Sequence, residues 1–328
     1  VFVFDLISKT FKNTATAGDT SFNVTTGASD GFTGDLTSSD WDRDFKDDVV
    51  YFGTVQGSVS APEGELMRFV PGSNFNFSSA SFSSVISKSG GLDQPFNGKP
   101  YVSTSPTGDH WIHAGTGRFY VVDDNLSSVQ QSFYGVKEPV DSSGALTYAS
   151  LSYTSDLVDT TGIEVFDDGS IRRSGSDPVL SNGDTVSTFS DLKASIGGED
   201  GWYFNFDDTS ARNVGRLGKI NASIIFTEYV PSGDLCSPLG ETFLNAVHFE
   251  TGTAAPFVAL QTGSTTYNSG TISERSVTFG LGLIRDVVID SHGSRIIGQD
   301  STGGLQIQDI NLPNVPPGRM SWRQLEIQ

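Results

Sequence analysis

Apolar and polar positions in this chain alternate in short bursts, and almost nowhere do they recur at helical spacing. Period-two alternation places successive side chains on opposite faces of an extended strand. The pattern predicts strands at 1–4, 49–52, 117–122, 201–206, 223–230, 285–289 and 295–298. Polar turn clusters separate such runs, among them Asp167-Asp168-Gly169-Ser170, Ser181-Asn182-Gly183-Asp184 and Ser291-His292-Gly293-Ser294. The best helical stretch is 191–196, a turn or two.

Many short strands joined by frequent turns predict an all-β sandwich, barrel or propeller. Degenerate internal similarity favours the propeller. The segment from Asp48 to Gly57 is echoed at 110–118 and again at 294–304. Each reads as an apolar inner strand, a Gly-containing hairpin turn and a second strand, the grammar of a propeller blade. At roughly 40–50 residues per blade the length holds about six or seven blades, or fewer with long insertions. Two low-complexity stretches, 11–34 and 73–91, read as surface insertions, with Phe75, Phe77 and Phe82 packed on a blade flank or, as the alternative, forming a sticky exposed patch. No domain boundary is visible, so residues 1–328 are expected to form one propeller domain. The chain opens at Val1 in what reads as mid-strand, which suggests the C-terminal part of a longer exported protein.

Composition narrows the function classes. Lys plus Arg number 20 against 39 Asp plus Glu, a formal net charge of −19. That charge argues against a nucleic-acid partner, and against docking on an anionic membrane unless calcium bridges the two. Only 18% of residues are charged, and the abundance of Gly, Ser and Thr suits an extracellular β-protein. The single cysteine, Cys236, excludes an internal disulfide and a four-Cys zinc site, and reads as a loop thiol. No run of about 18 apolar residues offers a transmembrane segment, and no signal peptide is visible.

The sharpest chemistry lies in Asp40-Trp41-Asp42-Arg43-Asp44-Phe45-Lys46-Asp47-Asp48. Carboxylates at loop positions 1, 3, 5 and 9 (Asp40, Asp42, Asp44, Asp48), with the Lys46 carbonyl at position 7, form a hard-oxygen ligand set suited to Ca²⁺. Two carboxylates ~4 Å apart repel by roughly 4 kcal/mol at an effective dielectric of ~20, so a cation is expected among them. The alternative is a solvated acidic turn. The loop is not an EF-hand: position 6 is Phe45 where that motif has Gly, and position 12 is Tyr51 where it has Glu. The β-forming run that follows predicts that the loop feeds directly into a strand, with Asp48 as last ligand and Asp47 pointing away.

No catalytic constellation emerges. His110 and His113 would face opposite sides of a strand, so they would not share a metal, and Gly-x-Ser-x-Gly is absent. The acid pairs Asp167-Asp168 and Asp207-Asp208 sit in turn-like sequence. The chain is therefore expected not to be an enzyme.

An ordered series of motifs resembles the C-terminal β-propeller of the PilC-type type IV pilus biogenesis and tip-adhesin proteins. The aspartate loop and the strand residues at 50–53 are followed by Leu66-Met67-Arg68-Phe69, similar to that family's Leu-Trp-Arg-Phe. Gly98-Lys99-Pro100, Ala114-Gly115-Thr116-Gly117-Arg118-Phe119, Asp123-Asp124 and Gln131-Ser132-Phe133-Tyr134-Gly135-Val136 come next. Gly201-Trp202-Tyr203-Phe204, the 225–231 strand with Asp234-Leu235-Cys236, and the tail 318–325 complete the series.

The resemblance implies a calcium-binding pilus-tip module that modulates extension, retraction and surface attachment. It also implies minor pilins or other tip components, and a host or abiotic surface receptor, as partners. Its calcium ligands carry over onto Asp40, Asp42, Asp44, the Lys46 carbonyl and Asp48. In that family more propeller sequence precedes the loop than the 39 residues here. The first blades are therefore expected either to lie outside this chain or to be missing from a reduced propeller. The residues 60–65 also lengthen the hairpin after the loop. The rival readings are a quinoprotein-dehydrogenase-like propeller, disfavoured by the absence of a vicinal Cys pair, and a purely structural filament cap.

Overall fold

The computed structural model of the chain describes residues 3–5, 10–12, 31–71, 80–87, 94–234, 239–257, 259–260, 266–267, 270–290 and 294–311. Cys236, His292, Phe75, Phe77 and the 318–325 tail lie outside the described residues. Five sheets of three or more strands are present among those described. The first is a meander of Phe32–Ser39, Val49–Gly57, Leu66–Val70 and Ser81–Ser84, with Pro62–Glu63 folded back on the end of Val49–Gly57. The second runs Tyr101–Thr104, His110–Gly115, Ser132–Lys137, Gly201–Asn205, and ends on Val158–Asp159 in parallel. The third orders Ile171–Arg173, Ile163–Phe166, Gly270–Ser273 and Thr266–Tyr267. The fourth orders Gly218–Ile220, Ser223–Val230, Glu241–His248 and Ser276–Leu281, and the fifth is the meander Val287–Asp290, Arg295–Gln299, Leu305–Asp309.

Period-two alternation decides how the sheets stack. In His110–Gly115, Ile112 and Ala114 pack with Tyr51 and Leu66 of the first sheet, whereas Trp111 turns to the opposite core. That second core contains Ile224 and Phe226 of the fourth sheet and Ile163 and Val165 of the third. Phe133 stacks on Phe226 with centroids 4.1 Å apart, while its neighbour Tyr134 faces the first sheet. Ile225, on the other face of its strand, joins Ile284 and Ile296 beside the fifth sheet. Strands buried on both faces thus carry near-continuous apolar runs. The result is all-β and β-propeller-like, with small sheets packed face upon face.

The predicted strands at 201–206, 223–230 and 295–298 appear as Gly201–Asn205, Ser223–Val230 and Arg295–Gln299. The 49–52 strand runs on to Gly57, and the 285–289 strand begins later, as Val287–Asp290. Of the predicted 1–4 strand, the described part is Val3–Asp5, paired with Thr10–Lys12. The predicted helix is Phe189–Gly197, started by a capping box in which Thr188 and Asp191 each accept the other's backbone N–H.

The predicted 117–122 strand does not form. The buried Asp124 carboxylate accepts the backbone N–H groups of Tyr120 and Val121 at 2.7 and 3.1 Å, and the Arg118 Nε–H at 2.8 Å. Those donors are captured locally rather than by a ladder, and a 3₁₀ turn follows at Val122–Leu126. The echo of 48–57 at 110–118 therefore holds for the strand and not for the hairpin after it.

Close approach of backbone to ring explains one glycine pair. A Cβ at Gly135 would lie 2.3 Å from the Trp202 ring, and one at Gly252, where φ is +70°, would lie 2.2 Å from its other edge atoms. The fully buried Trp202 indole needs both positions bare.

Candidate metal centre

The aspartate loop joins Phe32–Ser39 to Val49–Gly57 and sits at the end of the first sheet. Ser39 pairs with Val49, and the Asp48 N–H donates to the Ser39 carbonyl at 2.8 Å, so the loop is pinched shut at its base. Inside it the backbone donates to its own carboxylates. Asp40 accepts the N–H groups of Asp44 (3.2 Å) and Phe45 (2.8 Å), and Asp42 also accepts that of Asp44, at 3.0 Å. Asp48 accepts those of Trp41 and Asp42, at 2.7 and 3.2 Å. This winding forces left-handed backbone at two residues with side chains, Arg43 (φ 63°) and Phe45 (φ 72°). Such conformations cost on the order of 1 kcal/mol each, and persist where the surroundings over-determine them. Phe45 projects from the tip, 98% exposed.

The loop brings Asp40, Asp42 and Asp48 together, with one oxygen from each lying within 4.8 Å of the others. Ca²⁺–O distances of roughly 2.4 Å place opposite ligands about 4.8 Å apart, so these three oxygens fit around one such ion. An all-carboxylate donor set also suits a hard cation, and lacks the Cys or His ligands that softer metals favour.

Asp44 occupies a different place from Asp40, Asp42 and Asp48. The Lys46 ammonium binds the Asp44 carboxylate at 2.9 Å, and the Lys46 N–H donates to the same group at 2.9 Å. The hydrogen bond from Lys46 holds the Asp44 carboxyl below its ordinary value, and the same bond raises the Lys46 ammonium. Asp44 is therefore oriented toward Lys46 and lies outside the three-carboxylate group. Asp47 is exposed.

Beneath the loop lies a buried polar chain. Trp41, almost fully buried, stacks on His110 at 4.3 Å and donates its indole N–H to the Tyr51 hydroxyl at 3.0 Å. Tyr51 donates to Glu138 at 2.6 Å, and burial together with the Glu138 charge pushes its phenol far above the usual range. Glu138 is bound in turn by Arg68 at 2.5 Å, both side chains being fully buried. The remaining Arg68 donors reach the Ser83 hydroxyl and the carbonyls of Ser84, Tyr148 and Ala149. A charged residue inside the otherwise apolar Leu66-Met67-Arg68-Phe69-Val70 was the sequence signal for this network. Nothing in the sequence pointed to Glu138 as its partner.

The other sequence candidates separate. His110 and His113 do face opposite ways: His113 is buried against the Phe249 carbonyl at 2.9 Å, and burial lowers its imidazole to about 4. His248 is also buried, lowered to about 3 chiefly by desolvation. Asp167-Asp168-Gly169-Ser170 forms the tight turn between Ile163–Phe166 and Ile171–Arg173, with Gly169 at φ +82°.

These features define a class: a β-propeller-like, all-β domain with an acidic loop at one sheet end. A crystal structure of the Pseudomonas aeruginosa PilY1 C-terminal domain has the same fold, with a TM-score of 0.61 over 94% of this chain at 15% identity. The chain spans 66% of the length of that domain. The PilY1 C-terminal-like fold is the one implied by the ordered motifs. No family model matches the chain, and no curated protein matches it.

Proposed function

We propose that this chain is the calcium-binding propeller of a type IV pilus-associated protein, exported and displayed at the pilus tip, and that it works by binding rather than catalysis. The likeness to the PilY1 C-terminal domain supports a pilus-associated role. The observation that carries the reading is the convergence of Asp40, Asp42 and Asp48 on a fold of that kind. Bound Ca²⁺ would supply the positive charge that relieves carboxylate repulsion in the loop.

The protein's own residues do the rest. Asp40 and Asp48 fix the loop through backbone donors, and Trp41 ties it to Tyr51, Glu138 and Arg68. Ordering the loop therefore sets the end of the first sheet and the exposure of Phe45. A tip component such as a minor pilin, or a surface receptor, is the proposed reader of that edge. Occupancy at about 100 times Kd adds roughly 2.7 kcal/mol to stability.

Thermal unfolding with calcium and with a chelator tests the metal. Wild type should gain roughly 4 °C with calcium. Asp42→Asn should lose that gain, and Asp44→Ala should keep part of it, because Asp44 must first leave Lys46. Equal responses in wild type and Asp42→Asn sink the assigned ligands. Immunogold labelling of sheared pili tests the location: label at filament ends supports it, and its absence there refutes it.

A further inference from the structure

Segments belonging to four sheets lie side by side around Asp35. The Asp35 N–H, in the first sheet, donates to the Asn97 carbonyl at 3.3 Å. Lys99, just before the second sheet, forms a parallel bridge with Arg216, just before the fourth. Bridge partners point to the same side of the backbone, so these two side chains stand together. A Cβ at Gly98 would lie 2.6 Å from the Gly215 carbonyl, and one at Gly215 would collide with the carbonyl of Arg285, just before the fifth sheet.

The Asp35 carboxylate is approached by Arg216 at 3.7 Å and by Arg285 at 3.4 Å. Both contacts are long, and the two arginine side chains are 62% and 51% exposed. A guanidinium carries five N–H donors, so most of these remain accessible to a ligand. The Lys99 ammonium has no ion-pair partner among the described residues. Asp286 adds one more acid, accepting the Arg216 backbone N–H at 3.2 Å. Three cations therefore face two carboxylates, on a chain whose overall charge is −19.

Apolar surface adjoins the cations. Phe32 meets Tyr120 edge-to-face at 4.5 Å, and both rings are exposed. The Tyr120 hydroxyl donates to the side chain of Asn97, whose backbone holds Asp35, so the ring is anchored beside the charges. Val121 and Val122 follow, also exposed.

We propose that this face docks an acidic segment of a partner protein, one with adjacent carboxylates beside a bulky apolar side chain. A guanidinium fork matches a carboxylate with two parallel hydrogen bonds, and two forks beside an ammonium suit a pair of acids. The Phe32–Tyr120 pair receives the apolar neighbour, since anchored aromatics and arginines are where interfaces concentrate binding energy. The net negative charge elsewhere repels an acidic partner and so directs it to this patch. The cations stand on an open face, which suits an extended peptide rather than an enclosed small molecule. The proposal rests neither on calcium in the 40–48 loop nor on a place at a pilus.

Fluorescence anisotropy in chelator is the test. The probes are a labelled peptide with Asp-Asp-Phe in a Gly-Ser frame, its Asn-Asn-Phe and Asp-Asp-Ser counterparts, and a polyuronate. The Asp-Asp-Phe peptide should bind, and each counterpart should bind about tenfold more weakly. Arg216→Ala and Arg285→Ala should each weaken binding about tenfold while leaving the melting temperature in place, because exposed ion pairs add little stability. Asp35→Asn should strengthen binding, because it removes the carboxylate that competes for both guanidiniums. The proposal is overturned if the Asp-Asp-Phe peptide fails to bind at millimolar concentration, if Asn-Asn-Phe binds as well, or if the polyuronate binds more tightly. It is equally overturned if a variant carrying both arginine substitutions keeps the affinity, or if Asp35→Asn lowers it.

Discussion

The Arg68 guanidinium sits where the first and second sheets meet, and it donates to five hydrogen-bond acceptors. A buried ion pair adds little net stability, but breaking one strands a charge. Glu138→Leu should therefore lower the unfolding free energy by about 3–5 kcal/mol, read from urea denaturation. Glu228 is another buried acid. Burial pushes its carboxyl up to about 7 from an ordinary 4.5, with Asn245 as hydrogen-bond donor at 3.1 Å. Between those values the folded protein holds a proton that the unfolded chain has released, so this stability is present below about pH 4.5 and lost as pH rises through about 7. Glu228→Gln should remove that loss, worth about 3 kcal/mol. Comparing urea midpoints of wild type and variant at pH 5 and pH 8 checks it, and cancels the opposite trend from the neutral, buried His113 and His248.

Strands and turns are where local sequence had most force. Alternation located Ser223–Val230 to the residue, and Asp167-Asp168-Gly169-Ser170 marked a real turn, because both signals depend on neighbours in sequence. The 117–122 segment failed because the Asp124 carboxylate outcompeted a ladder for the backbone donors, and side-chain capture of that kind leaves no periodic trace. Sheet membership was equally hidden. Ile163–Phe166 pairs with Gly270–Ser273, and Ser132–Lys137 with Gly201–Asn205. The contact between elements is strict where Trp202 lies between Gly135 and Gly252. Gly135→Ala should destabilise by about 1–3 kcal/mol through overpacking, and a thermal melt with near-UV circular dichroism would show it as a lower midpoint and an altered tryptophan signal. An unchanged midpoint would mean the indole can shift.

Over the whole molecule, the charge of −19 works against compaction. Sodium chloride raised to about 0.15 M shortens the screening length to about 8 Å, so the melting temperature measured in chelator should rise with salt. A flat or falling response would mean that local ion pairs such as Arg285–Asp35 outweigh the general repulsion. The aspartate loop is the most concentrated part of that charge, and its ends are held by a sheet that packs on the rest of the protein.

The chain's own order of residues was enough to specify an all-β architecture, several of the strand positions and an acidic loop opening into a strand, since each follows from side-chain alternation or spacing over a few residues. Folding in three dimensions decided that three of the four expected carboxylates converge while Asp44 turns to Lys46. It also decided that Arg68 meets Glu138 seventy residues away. Those outcomes depend on which distant surfaces meet and which donors reach an acceptor first, and no local pattern encodes either.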